Sequence, residues 1–547
     1  MIAMCYRIAG GDFDTAGLAT RQLKEQLAKI GVDSEVLRRI MIAAYEAEMN
    51  VVIHARTGNL WARLDGERLD LEIADEGPGI PNIELAMREG WSTASEQARQ
   101  MGFGAGLGLP NIKRNSDLFE IESRVGKGTR VRSTIYLRPV EASGTAQRAK
   151  ISDSDLTTLS IDGERCRSCL RCLFTCPTGA LRAREGGPRL LPHLCIGCTA
   201  CIAECPDKVF GIREENAPAD LREIAEDSIL IAPAGFFSGF PGNVGPSRVV
   251  AALKGLGFRE VWQTEEWEKA LRCESRRHAA GAHARRPLIT PVCPAAVALI
   301  ETQYPSLIPC LMPSLSPVEA AGEEFPLEPV VLAAACPSQY AAASRTSVTG
   351  RFTVVAPARL ASAVLSMIGG EASGQKQASM GNGAAAQFVL PDADSRPGEL
   401  RVTGLRHVLR ALSEVEIGGL EDVAVLELFA CEQGCTGSPL LGVDPFIRAR
   451  SAPFPIEAVK ASAVARARPF SPRPGIRLDE DMARAIAKLS RIDALTRGFP
   501  GRDCGVCGAP SCAALAEDIV MGRAGGAACP YTKPSARDEK LGTEAAK

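Results

Sequence analysis

The sequence predicts a multidomain chain of α/β and α+β modules, on three observations. At 547 residues it is too long for one hydrophobic core. Its 19 cysteines are bunched, with one before residue 160, eight in 166–205, six over 273–435 and four in 504–529. Three stretches read as breaks: 141–160, which opens small and polar (Glu141-Ala142-Ser143-Gly144-Thr145); 369–399, rich in Gly, Ala, Ser and Gln and read as a surface insertion; and Pro469, Pro472 and Pro474. Four modules follow, at 1–140, 155–215, 225–465 and 476–547.

The composition is that of an ordinary soluble globular protein, 46% apolar and 23% charged, with a net charge of −2. Such balance gives no electrostatic footprint for nucleic acid or for an anionic membrane surface. Apolar runs such as Val330–Ala335 are far too short to span a bilayer. The start, Met1-Ile2-Ala3-Met4-Cys5, lacks a basic region, a long apolar stretch and a cleavage site, so a cytoplasmic location is expected. Clustered cysteines in a reducing compartment read as metal ligands rather than disulfides.

In 1–140 a helical pattern runs from Leu37 to Ala55, with Asp33 or Ser34 as its cap, and Glu46 and Asn50 share one face. An alternating strand, Leu69–Ile73, leads into Asp75-Glu76-Gly77-Pro78-Gly79-Ile80. Gly102-Phe103-Gly104-Ala105-Gly106-Leu107-Gly108-Leu109 precedes another helical stretch, where glycines let the backbone approach phosphates and amides favour anions. Gly126-Lys127-Gly128-Thr129 stands ahead of a last strand, Val131–Leu137. A glycine-rich loop alone is as well explained by loop geometry. These four elements in this order resemble the Bergerat-fold ATPases, which include histidine kinases, gyrases and anti-sigma-factor kinases. The resemblance implies a Bergerat α/β sandwich that binds ATP and Mg²⁺. Asp75 would bind the adenine amino group in a loop with Gly77 and Gly79, and Asn50 would hold Mg²⁺. Gly104, Gly106 and Gly108 would line the phosphate lid, Thr129 would support the base site, and Glu46 would be the polarising base. The match is closest to the anti-sigma-factor type, since no phosphoacceptor-histidine helix precedes it. A small antagonist protein phosphorylated on serine is then an expected partner. His54 reads as a structural histidine.

In 155–215, Cys166-x2-Cys169-x2-Cys172-x3-Cys176-Pro177 is followed by Cys195-x2-Cys198-x2-Cys201-x3-Cys205-Pro206. This is the bacterial two-cluster ferredoxin run, in which the fourth cysteine of each motif serves the other [4Fe–4S] cluster. One set is Cys166, Cys169, Cys172 and Cys205; the other is Cys195, Cys198, Cys201 and Cys176. Zinc sites do not need four cysteines twice in this pattern.

In 225–465, Ser228–Ala234 reads as a short buried strand, and a helix opening at Val249–Leu253 runs on through Gly255 toward Val261. The stretch resembles the catalytic domain of the [FeFe] hydrogenases, a hydrogenase-like α/β domain. Thr290-Pro291-Val292-Cys293-Pro294 stands at that family's first ligand motif, Val331 to Cys336-Pro337 at its second and Cys431-x3-Cys435 at its third. The resemblance implies a cubane on Cys293, Cys336, Cys431 and Cys435. Two departures put a diiron centre in doubt. Val292 stands where the family has its proton-relay thiol, and Gln339 where a lysine holds a diiron cyanide ligand. A valine cannot transfer a proton, so fast hydrogen turnover is not expected. Glu274 is a candidate for a pathway glutamate. The rival reading makes the four cysteines merely small buried residues.

In 476–547, Cys504-Gly505-Val506-Cys507-Gly508-Ala509-Pro510-Ser511-Cys512 is followed by Cys529-Pro530, with helical spacing over Ala513–Met521. This resembles the small helical four-cysteine [4Fe–4S] domain of corrinoid iron–sulfur proteins and electron-transport subunits, with structural zinc as the rival. A preceding helix, Met482–Ile492, has one apolar face that is expected to pack on the module. Cys5, Cys273 and Cys310 have no partner at ligand spacing. Together the modules resemble accessory or sensory proteins that accompany [FeFe] hydrogenases. They point to an electron-transfer or redox-sensing protein with coupled ATP binding, whose partners are redox proteins such as hydrogenase subunits or a ferredoxin. The alternatives are a redox-responsive serine kinase of the partner-switching type and a hydrogenase subunit.

Overall fold

The computed structural model describes residues 2–94, 96, 104, 106–137, 159–214, 218, 220–241, 244–281, 285–344, 352–371, 396–442, 444, 462–525 and 529–531. Most of the expected linker at 141–160 and of the insertion at 369–399 lies outside the described residues, as do Gly102, Phe103 and Ala105. The chain divides into two compact units. One comprises 1–148, 416–418 and 474–547, the other 149–415 and 419–473.

The first unit is built on a five-stranded antiparallel sheet of order β1-β2-β3-β5-β4. The strands are β1 (Ile2–Ala9), β2 (Thr57–Leu64), β3 (Arg68–Asp75), β4 (Leu118–Arg124) and β5 (Gly128–Tyr136). Period-2 patterning buries Leu69, Leu71 and Ile73 of β3, whereas Glu72 pairs with Arg130 and Arg132 of β5. Helices α1 (Leu18–Ile30) and α2 (Ser34–His54) cover the apolar face. Asp33, not Ser34, caps α2, its carboxylate accepting from the amides of Glu35 (2.9 Å) and Val36 (3.3 Å). Fully buried Leu23, Leu27, Leu37 and Ile40 fill the interface, each contributing about 1.5–3 kcal/mol by burial.

The same core takes in the far end of the chain. Helix α3 (Met482–Gly498) contributes Ala485, Leu489 and Ile492, and helix α4 (Cys512–Val520) contributes Ala516. The apolar face expected on α3 therefore serves the sheet unit as well as the four-cysteine module.

The second unit opens with two strand pairs, Leu159–Ile161 with Phe210–Ile212 and Leu181–Arg184 with Gly187–Leu190. Two short helices, Arg171–Thr175 and Ala200–Glu204, each follow a left-handed residue, Leu170 (φ 63°) and Thr199 (φ 67°). Beyond lie two parallel sheets. Four strands pair in the order Glu260–Gln263, Ile229–Ala232, Val330–Ala333, Phe352–Val355. Three pair in the order Leu288–Thr290, Val425–Phe429, Glu399–Thr403. Val330–Ala333 is buried throughout, as a parallel strand covered on both faces must be. The helix expected to run through Gly255 toward Val261 instead spans Pro246–Leu256. Gly257 (φ 120°) ends it, and a strand follows.

Candidate iron–sulfur and nucleotide sites

Cys166, Cys169, Cys172 and Cys205 lie in one neighbourhood: burial first, then the charges of the other three, together push the Cys172 thiol up to about 11. The same holds for Cys195, Cys198, Cys201 and Cys176, for Cys201 is raised by burial and then by the other three. This grouping suits the crossed arrangement expected from the sequence, in which the fourth sulfur of each set comes from the other motif. Backbone amides turn toward these sulfurs, from Ser168 to Cys166 (3.4 Å), Ala180 to Cys176 (3.3 Å) and Val209 to Cys205 (3.5 Å). Left-handed residues at Ser168, Gly179 and Lys208 stand at or just before these inward-facing amides, which suit an anionic guest.

Cys293, Cys336, Cys431 and Cys435 line one cavity of about 340 Å³, shared with Gly197, Cys198, Gln339, Phe429 and Ser438. Three of the four follow strand ends. Cys293 comes after Leu288–Thr290, Cys336 after Val330–Ala333 and Cys431 after Val425–Phe429, the carboxyl ends where parallel sheets present their sites. Cys293 and Cys336 each start a helix whose first residue is proline, and the Cys336 sulfur accepts from the Gln339 amide at 3.4 Å. Burial holds all four thiols high, Cys431 at about 12, and the charges of neighbouring thiols in the quartet add to it at Cys336, Cys431 and Cys435. Four buried thiolates need a cationic core to offset that penalty, and iron supplies one. The second ferredoxin-type set adjoins this cavity. Cys198 lines it, the Thr199 hydroxyl is 3.7 Å from the Cys431 sulfur, and a side chain at Gly197 would strike the Ser338 backbone at 2.7 Å.

The residues around this quartet do not fit a diiron unit. Val292 is buried, and Gln339 spends its side chain locally. Its Oε1 accepts from the Ala335 amide (2.8 Å) and its Nε2 donates to the Cys435 sulfur (3.5 Å). Glu274 pairs with Arg277 on the outer side of its helix. The acid that does face the quartet is Glu268, whose charge bears on both Cys293 and Cys435. Burial and the neighbouring Glu265 push its carboxyl up to about 8. The signal for it was the acidic first turn of the helix, Glu265-Glu266-Trp267-Glu268.

Cys504, Cys507, Cys512 and Cys529 line a cavity of about 310 Å³ with Pro500, Pro530 and Tyr531. Cys512 begins α4, its amide donating to Asp503 at 2.6 Å. Among the described residues no three His, Cys, Asp or Glu side chains gather at single-ion spacing. Cys5 and Cys273 are exposed and Cys310 is buried.

The nucleotide residues converge at the mouth of the first unit's sheet. Asp75 ends β3, its Oδ1 accepting from the amides of Gly77 (2.7 Å) and Thr129 (3.2 Å), and burial raises its pKa. The Thr129 hydroxyl meets that of Ser123 at 2.9 Å. Gly79 (φ 72°) admits no side chain, for a Cβ would lie 2.2 Å from the Arg124 carbonyl oxygen. A Cβ on Gly108 would crowd Asn50 Oδ1 at 3.2 Å and Glu46 Oε2 at 3.3 Å, so the glycine loop closes on α2 at these two residues. Gly104 and Gly106 adopt positive φ against Ala94 and Trp91. Glu46 is raised by burial and takes a 2.7 Å bond from Asn111, a partner not singled out from the sequence because its role depends on α2. Burial lowers the His54 pKa.

A chain with cysteine quartets on ferredoxin-like and hydrogenase-like folds, and a glycine-lined acidic pocket on a separate sheet, is an iron–sulfur protein with a nucleotide-type domain. Residues 12–135 match the histidine kinase-like ATPase domain, 158–214 the 4Fe-4S dicluster domain, 229–325 the C-terminal domain of the iron-only hydrogenase large subunit, and 499–531 a putative Fe-S cluster domain. The chain thus matches these four families segment by segment, hydrogenase-like in its iron–sulfur portion and histidine kinase-like in its ATPase domain. The serine/threonine-protein kinase RsbT of Bacillus subtilis is 33% identical over 126 residues, 22% of this chain and 89% of its own. The periplasmic [Fe] hydrogenase large subunit of Nitratidesulfovibrio vulgaris is 29% identical over 191 residues, 32% of this chain and 45% of its own. The apo [FeFe]-hydrogenase of Chlamydomonas reinhardtii aligns over 48% of this chain and 90% of its own, at 16% identity and a TM-score of 0.30. Among the described residues no helix is long and apolar enough to cross a membrane.

Proposed function

We propose that this chain is a cytoplasmic redox sensor or relay that holds four [4Fe–4S] clusters, one on each cysteine quartet, and binds Mg²⁺–ATP at the Asp75 site. The observation that carries it is the junction of Cys198 and Thr199 with Cys431, which sets a ferredoxin-type quartet against the hydrogenase-like one. Bound clusters supply one-electron storage. The chain's own residues exclude water, direct amides at the sulfurs and keep the quartets adjacent. Cys293 and Cys336 are buried and Cys169 is exposed, so the hydrogenase-like quartet is the interior end of the series and Cys169 the outer end. A small redox protein at the Cys169 end is the matching partner. Val292 and the engaged Gln339 argue against hydrogen turnover.

The test is an anaerobic iron and sulfide count with EPR. About sixteen irons fit four cubanes and about twelve leave the central quartet empty. Replacing Cys293 and Cys336 by serine removes one cluster's signal and leaves the ferredoxin signals, and unchanged iron would refute the assignment. The likeness to RsbT over most of that kinase's length favours a second reading, in which the ATPase domain phosphorylates a serine of a small antagonist protein. Phosphate transfer from labelled ATP to such a protein, compared in oxidised and reduced samples, separates the two.

A further inference from the structure

The C-terminal quartet belongs by packing to the nucleotide domain. Resting on the reading that this domain binds ATP, we propose that iron loading of Cys504, Cys507, Cys512 and Cys529 sets the nucleotide affinity of the Asp75 site. The route is a series of fixed contacts inside one compact unit. Cys512 is the first residue of α4, a helix of nine residues, too short to hold itself in water. Its order depends on what grips its start and on what its face packs against. Small metal modules draw folding energy from their metal, so an iron-loaded quartet fixes α4 and an empty one releases it.

The far side of α4 is joined to α1. Ala516 is fully buried in the common core, and Glu517 pairs with Lys29 at 2.6 Å. The segment entering α3 adds a backbone bond from the Leu478 amide to the Lys29 carbonyl at 2.9 Å. The Arg477 side chain lies so close to Gly31 that a Cβ there would meet it at 2.7 Å. The C-terminal end of α1 is thus held by the iron-binding segment.

The N-terminal end of α1 is held by α2. The buried carboxylate of Glu48 accepts from the amides of Ala19 (3.1 Å) and Thr20 (2.9 Å) and from the Thr20 hydroxyl (2.7 Å). Two residues to either side of Glu48 stand Glu46 and Asn50. A spacing of two places them on the opposite face of the helix, toward the glycine loop. One side of α2 therefore grips α1 while the other forms the nucleotide pocket. Release of α4 loosens α1, and α2 carries the change to Glu46 and Asn50. The iron-loaded chain binds nucleotide more tightly.

The experiment uses the full chain, reconstituted anaerobically, with Mg²⁺–ATP affinity measured by calorimetry. Cys512→Ala weakens binding about fivefold or more, at the lower end of ordinary coupling between sites. Cys273→Ala, which removes an exposed thiol outside every quartet, leaves it unchanged. Linkage demands the converse in the unmodified protein: at equilibrium with a competing chelator, saturating Mg²⁺–ATP tightens iron retention by the C-terminal quartet by the same factor. This arm decides the matter even where Cys512→Ala fails to fold. Lys29→Glu reduces both effects, and adding Glu517→Lys restores them. Equal affinities for the unmodified and Cys512→Ala chains, or iron loss indifferent to ATP, overturn the coupling. No ATP binding by the loaded, unmodified chain overturns the nucleotide reading itself and this inference with it.

Discussion

Gln339 engages both ends of its amide, one on the Ala335 backbone and the other on the Cys435 sulfur. An N–H donated to a cluster thiolate favours the more negatively charged, reduced state, because it stabilises charge on sulfur in a low-dielectric site. Gln339→Leu keeps the bulk and removes the donor. It lowers the midpoint potential of the hydrogenase-like cluster in an EPR-monitored titration and leaves the ferredoxin potentials in place. An unmoved potential would show that the bond carries no weight. The substitution at 339 was legible in the sequence as a lost lysine. What the amide does instead was not, because its partners lie four residues back and 96 residues ahead. Gly79 was legible for the opposite reason: backbone crowding leaves glycine as the one residue that fits.

Among the elements, the helix Glu265–Ala279 shows how the hydrogenase-like quartet is walled. Arg272 reaches Glu427 with two bonds of 2.7 and 3.0 Å, and Arg276 reaches Glu399 with two of 2.6 and 2.9 Å, tying the helix to two strands of the three-stranded sheet. The same helix buries Glu268 with its carboxyl raised to about 8. An unfolded glutamate titrates near 4.3. Between those values the unfolded chain has released a proton that the folded chain keeps, so stability falls as pH rises through the interval. Glu268→Gln removes that contribution. The gain in unfolding temperature over the unmodified protein is larger at pH 8 than at pH 5, measured anaerobically. An equal gain at both would mean that Glu268 is charged in the fold. Which of its acids turns inward was not legible in the sequence, since Glu268 and Glu274 are both acids in one amphipathic run, and only packing separates them.

At the scale of the whole molecule, the sequence delivers its modules in one order and the fold groups them in another. The break at Pro469–Pro474 was legible as a boundary, because proline interrupts regular structure. The attachment of the following segment to the first 137 residues was not. All that marked it was an apolar stripe on α3, which says that a face is covered and not by what. Leu489, almost fully buried in that shared core, tests the attachment. Leu489→Ala costs about 2–5 kcal/mol and lowers the unfolding temperature of the nucleotide-type domain, followed by protease resistance of residues 2–137. If only the four-cysteine module became protease-sensitive, the shared core would not be one cooperative body.

The closing of one core by two distant stretches of chain also sets a timetable. A ribosome releases about 5–20 residues each second from the N-terminal end. The first sheet therefore waits, one apolar flank uncovered, while the entire second unit is made. Only when α3 and α4 emerge can that flank be sealed, so nascent protein passes through an interval in which the nucleotide-type domain is at its most vulnerable to aggregation and to chaperone capture.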